Sequence, residues 1–145
     1  MTTPRVFVSR PAALRSDERA LADRWYEALE ELGLVPVALS PAEYRAPPWT
    51  QLRALVRSCR GLVVLGFRGS PTPWNHVEAG LGIMGGLPVL VAGDDGVADG
   101  VFGPEVWGEE VRGVSLRVWD GSEPLAEPAL QDWLSSVRSA SRSSR

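Results

Sequence analysis

"GLVVLGF", residues 61–67, is the stretch that decides the fold. It is apolar from end to end and carries two adjacent β-branched residues, Val63 and Val64. A strand with one wet face alternates polar and apolar residues. A short unbroken apolar run reads instead as a strand buried on both faces, as in a parallel sheet covered by helices on each side.

The flanking segments agree with that reading. On the N-terminal side, "WTQLRALVRSC" (49–59) sets Leu52, Leu55 and Val56 on one helical face. Before it lie a Pro-rich connection (40–48) and "LVPVAL" (34–39), read as the second strand. "SDERALADRWYEALEELG" (16–33) is an amphipathic helix, with Ser16 as the expected N-cap and Gly33 as the expected C-terminal cap. "RVFVS" (5–9) is the first strand. On the C-terminal side, a helix is expected from Pro73 or Trp74 to Gly85, then a fourth apolar strand, "LPVLVAG" (87–93). A Gly-rich irregular stretch (94–113) precedes "VSLRVW" (114–119), read as strand five. The terminal helix, "PALQDWLSSVRSA" (128–140), turns Leu130, Trp133, Leu134 and Val137 inward.

Five strands alternating with helices imply one α/β domain. Its expected form is flavodoxin-like: a five-stranded parallel sheet in the order 2-1-3-4-5, with helices on both faces. The domain is expected over residues 1–139, with 140–145 as a flexible tail.

Composition narrows the function. A net charge of −3 gives no electrostatic basis for nucleic-acid binding. The single cysteine, Cys59, excludes an internal disulfide and reads as a buried residue. No apolar run has the roughly 18 residues a membrane span needs, and no signal peptide is visible. A soluble, cytoplasmic protein is expected.

Open parallel sheets bind ligands beyond the carboxyl ends of their strands. Ser9 and Arg10 follow the first strand there. Phe67, Arg68, Ser70, Thr72 and Asn75 follow the third, and Asp94 and Asp95 follow the fourth. Glu78 enters early on the helix after strand three, on the same edge. A carboxylate beside a sugar can attack the anomeric carbon or stabilise an oxocarbenium-like transition state. The same Glu78 also reads as a helix-dipole partner or a solvated residue. The only histidine, His76, points elsewhere and reads as a packing or capping residue. One His and one Cys leave little basis for a metal site.

"TPWNHVEAGLGIMGGLPVLVA" (72–92) resembles the active-site helix of the nucleoside 2-deoxyribosyltransferase-like proteins, which include nucleoside and nucleotide N-glycosidases. The shared pattern is Thr72, Glu78, Gly80, Gly86, Pro88 and Val89. "VFVSR" (6–10) is similar to that family's first strand, where Ser9 and Arg10 would cradle sugar or phosphate, and Phe7 keeps an early aromatic. Thr72, Trp74 and Glu78 also keep a spacing similar to that of TIR domains that cleave NAD. There is one departure: Arg53 stands where deoxyribosyltransferases place an Asp, and no acidic residue lies between Gln51 and Gly61.

The resemblance implies cleavage or transfer at the N-glycosidic bond of a nucleoside, nucleotide or NAD. Glu78 is the expected nucleophile or transition-state stabiliser. Thr72 and Asn75 are expected to orient it or to bind sugar hydroxyls, and Asp94, Asp95 or water to protonate the leaving base. Phe7, Ser9, Arg10, Phe67, Arg68, Ser70, Trp74, Asn75 and Asp94 are the expected substrate contacts. No cofactor and no metal is expected, and a homo-oligomer is. The missing Asp favours a second reading, a non-catalytic nucleotide-binding sensor or TIR-like assembly module. A third is a structural domain with no ligand.

Overall fold

The strand at residues 61–67 sits where its composition puts it. β3 (Gly61–Gly66) is buried at every position and lies between β1 (Arg5–Ser9) and β4 (Val89–Gly93). β2 (Val35–Val37) and β5 (Val111–Ser115) close the two edges. All neighbours pair in parallel, in the order β2-β1-β3-β4-β5. The architecture is therefore a single flavodoxin-like α/β domain, as expected. The structure, a computed structural model, describes residues 3–11, 13–38, 49–70 and 73–143, with side chains described as far as Ser139.

Four helices cover the sheet: α1 (Ser16–Glu31), α2 (Trp49–Arg57), α3 (Trp74–Met84) and α4 (Pro128–Ser143). The two-residue period of β3 splits the core in two. Val63 and Leu65 join Trp25 and Leu29 of α1 and Leu130 and Trp133 of α4. Leu62 and Val64 join Leu52 and Val56 of α2 and Ala79 of α3. Trp25 and Trp133 are at most 1% exposed, and each side chain of this size contributes about 2–3 kcal/mol by leaving water. Cys59 is buried too, and burial pushes its thiol up from the ordinary value.

Helix ends account for most departures from expectation. Arg15, not Ser16, is the N-cap of α1, with extended backbone (φ −69°, ψ 163°). Gly33 does terminate the helix. Its φ is +81°, and the Gly33 amide donates to Glu30 while the Leu34 amide donates to Leu29, both at 3.0 Å, which is the Schellman pattern. That turn holds Leu34 and leaves β2 to begin at Val35. α2 ends at Arg57, and just past it the Ser58 hydroxyl donates to the Leu55 carbonyl at 2.7 Å.

Strand five is a correction. It runs Val111–Ser115 rather than over 114–119. Trp25 Nε1 donates to the Leu116 carbonyl at 2.8 Å, just past the strand's end. The chain then makes a 3-10 turn at Val118–Asp120, which sets Trp119 edge-on to Trp25 at 5.2 Å. Burial of Trp119 against α1 outweighs the β-propensity of the "LRVW" run. Upstream, Gly113 lets the Trp107 ring lie on the strand, since a Cβ there would fall 2.0 Å from that ring. Among the described residues, no helix is long and apolar enough to cross a membrane.

Candidate active site

The helix after β3 is held close to the sheet. A Cβ on Gly82 would lie 2.7 Å from the Leu62 side chain. The missing side chain is therefore what lets α3 settle onto β3. Ala79 is buried beside it. Asn75 and Glu78 are three residues apart, so they share a helical face. Both are turned inward, at 3% and 4% exposure.

They meet the end of β1. Ser9, the last residue of that strand, is fully buried. Its hydroxyl donates to Glu78 Oε1 at 2.5 Å. Asn75 Nδ2 donates to Ser9 Oγ at 3.0 Å and to the Ser9 carbonyl at 3.3 Å. The direction of this chain matters. The amide occupies Ser9 Oγ as an acceptor, so the one hydroxyl proton is free to point at Glu78. The Glu78 side chain is thereby held by a hydroxyl donor where both partners are almost wholly buried, and hydrogen bonds are electrostatically stronger there than in water. The structure thus brings together Ser9, Asn75 and Glu78 from the candidate residues. Ser9, expected on sugar or phosphate, has its hydroxyl on Glu78 in this structure.

Other candidates surround this centre without joining it. Arg10 is exposed. Its Nε donates to the Tyr26 hydroxyl at 3.3 Å, and its guanidinium carbon lies 5.9 Å from that ring's centre. Arg68 donates to the Asp95 carbonyl at 2.7 Å through Nε, tying the loop after β3 to the loop after β4. Asp94 Oδ1 accepts from the Asp95 amide at 2.9 Å and pairs with Arg117 at 3.5 Å. The Asp95 side chain is exposed. Phe7 and Phe67 are 1% and 2% exposed, one in each half of the core. Trp74 is 37% exposed one turn before Glu78, and its ring lies 5.7 Å from that of Trp49. Thr72 lies outside the described residues. His76 packs as expected: Nδ1 accepts the Val101 amide at 3.2 Å and the ring stands edge-on to Phe102.

Sequence reasoning missed a second buried carboxylate, Glu18, which is 3% exposed. Glu18 Oε1 accepts from Ser70 Oγ at 2.6 Å and from the Arg15 amide at 3.0 Å, with Arg15 Nε at 3.5 Å. The Ser70 hydroxyl is the largest influence holding its carboxyl below the ordinary glutamate value of 4.5. The Arg15 amide and guanidinium and the Gly69 amide act in the same direction, against desolvation. A Glu three residues after the N-cap is a capping signature. Placing the cap at Ser16 hid it by one residue.

The described residues include no group of three or more His, Cys, Asp or Glu able to hold a metal ion. A cleft of about 330 Å³ opens at the carboxyl ends of β4 and β5, beside Phe102, Trp107 and Glu127. Glu78 does not line it.

No family model matches the chain, and no curated protein matches it. Among solved structures, the chain is similar to that of a Clostridium botulinum CMP N-glycosidase, BcmB. The match has a TM-score of 0.58 at 17% identity and covers 80% of this chain and 97% of that one. At that identity the likeness establishes a shared fold.

Proposed function

We propose that this protein cleaves the N-glycosidic bond of a nucleotide, with Glu78 as the catalytic carboxylate. The observation that carries the reading is the Ser9–Glu78 hydrogen bond of 2.5 Å at the carboxyl edge of the sheet, backed by Asn75. A surface glutamate needs no such support. A carboxylate that must meet C1′ at one angle does. The shared fold with a CMP N-glycosidase supports the same class of substrate.

Glu78 attacks C1′ as the C1′–N bond breaks, and the bonding electron pair leaves with the base nitrogen. A water molecule then cleaves the glycosyl ester and releases the free sugar phosphate. In the alternative course the carboxylate stabilises the oxocarbenium ion while water attacks directly. Ser9 and Asn75 are positioning residues: they fix the carboxylate's rotamer through one hydroxyl. Arg10 and Arg68 supply positive charge at the same edge for a phosphate. Trp74 offers an exposed aromatic face to the base one turn before Glu78. With Glu78 only 4% exposed, substrate entry requires the side chains that cover it to move. Asp94 or Asp95 would protonate the leaving base. NAD belongs in the substrate set because nicotinamide leaves as a neutral group. Val77 and Met84, 37% and 88% exposed on α3, are apolar surface that a second copy would cover in a homo-oligomer.

The test is a product screen. The protein is incubated with ribo- and deoxyribonucleoside monophosphates, nucleosides and NAD, and free base is read by chromatography beside Glu78→Gln. Base released by the parent alone establishes the activity and names the substrate. Nucleotide binding without base release assigns the protein to the sensor class instead.

A further inference from the structure

Glu18 is as buried as Glu78, at 3% against 4% exposure, yet the proposed chemistry does not use it. Helix capping explains only part of its placement. A capping glutamate ordinarily sits on the surface, where its second oxygen meets water. Here the carboxylate is buried down to Oε2, and the Gly69 amide of the loop after β3 joins Ser70 and Arg15 in favouring its charged form. A buried carboxylate needs such donors, and their arrangement calls for an explanation.

The loop after β3 accounts for the burial. Ser70 reaches across 52 residues of sequence to donate to Glu18 Oε1. Gly69 lies directly on the pair: a Cβ there would fall 2.8 Å from both the Arg15 guanidinium and Glu18 Oε2. The loop is therefore pressed against the first turn of α1. It is pinned at its other side by Arg68 on the Asp95 carbonyl. Three residues beyond Ser70 is Pro73, which opens α3 and its inward pair, Asn75 and Glu78.

We infer that Glu18 is a positioning residue for the glycosidase site: through Ser70 it sets where the loop delivers α3, and so where Glu78 meets Ser9. The kinetic part of this inference rests on the proposed function. Its structural part does not.

The experiment takes Glu18→Ala, Ser70→Ala, the double variant and Glu18→Gln. Each is measured for kcat and KM on the substrate found in the product screen, and for amide hydrogen exchange. We expect kcat to fall by about tenfold in each single variant, the loss of roughly one charge-assisted hydrogen bond's worth of alignment, with KM within about threefold. The double variant should be no worse than the singles, because the two residues act as one link. Glu18→Gln, which keeps an acceptor for Ser70, should recover most of the rate. Exchange should rise in residues 74–78 and stay unchanged in β4 and α4. If Glu18→Ala does not fold, the half-buried Ser70→Ala carries the test.

An unchanged kcat, independent losses that multiply in the double variant, or a rise in KM alone would overturn the inference. The last would return Ser70 to substrate contact. If the parent releases no base, the proposed function fails, and the exchange data decide this inference alone. Exchange in 74–78 that matches the parent would then reject it.

Discussion

Glu18 and Glu78 are both buried glutamates on helices that follow strands, each held by a serine hydroxyl from another element. They differ in how they reach that state. Glu78 is carried inward by backbone packing: Gly82 and Ala79 let α3 lie on β3, and the side chain follows. Glu18 starts at a helix cap, where water would ordinarily cover it, and a loop closes over it. One carboxylate is buried by its helix and the other by its neighbours. A helix-borne group is stiff, which suits chemistry. A loop-covered group depends on hydrogen bonds that charge and pH can undo.

The largest expected effect tests whether Glu78 is the reacting member. Glu78→Gln should lower base release by about 10³-fold or more while leaving the thermal midpoint unchanged or higher, since a buried carboxylate is replaced by an amide of equal size. A folded variant that keeps its rate would erase the distinction between the two glutamates. Next is the packing that delivers it. Gly82→Ala forces the Leu62 side chain to give way and should destabilise the protein by about 1–3 kcal/mol, measured by urea unfolding. Retained stability would mean α3 is not set by that contact. Ser9→Ala removes the hydroxyl from Glu78 and should lower kcat by about tenfold, on the order of 1.4 kcal/mol.

The smallest effect is the pH response of Glu18. Its folded-state carboxyl is held below 4.5, chiefly by Ser70. A depressed folded value means the carboxylate's contribution is fully present above the unfolded value and is lost as pH falls through the folded one. Stability of the parent should therefore decline below about pH 4.5 more steeply than that of Glu18→Gln, read from thermal midpoints across the acid range. Parallel curves would show that the Ser70 contact does not favour the charged form.

How much was legible can be followed through particular residues. β3, β4 and the helix at 74–84 were readable because their signals are local: unbroken apolar runs, and a helix bounded by Pro and Gly. Gly33 was readable for the same reason, since only a left-handed turn needs it there. Glu78 was noticed as a carboxylate among small residues and by its resemblance to an active-site helix. Strand five was misplaced because "VSLRVW" carries good strand residues, whereas its partner strand ends at Gly93 opposite Ser115 and Trp25, 91 residues away from Leu116 along the chain, holds the Leu116 carbonyl. Glu18 was overlooked because the first turn of an amphipathic helix is where acidic residues are usually solvated.

The sequence by itself determined the α/β alternation, the parallel sheet, and the edge on which polar groups gather, because periodicity and turn chemistry act over a few residues. Only the tertiary structure decided that Ser9 donates to Glu78, that Phe7 and Phe67 close into the core, and that Ser70 spans to Glu18. Those outcomes depend on which side chains from separate strands and helices meet within hydrogen-bond reach. That distance is set by packing, which no local pattern of residues records.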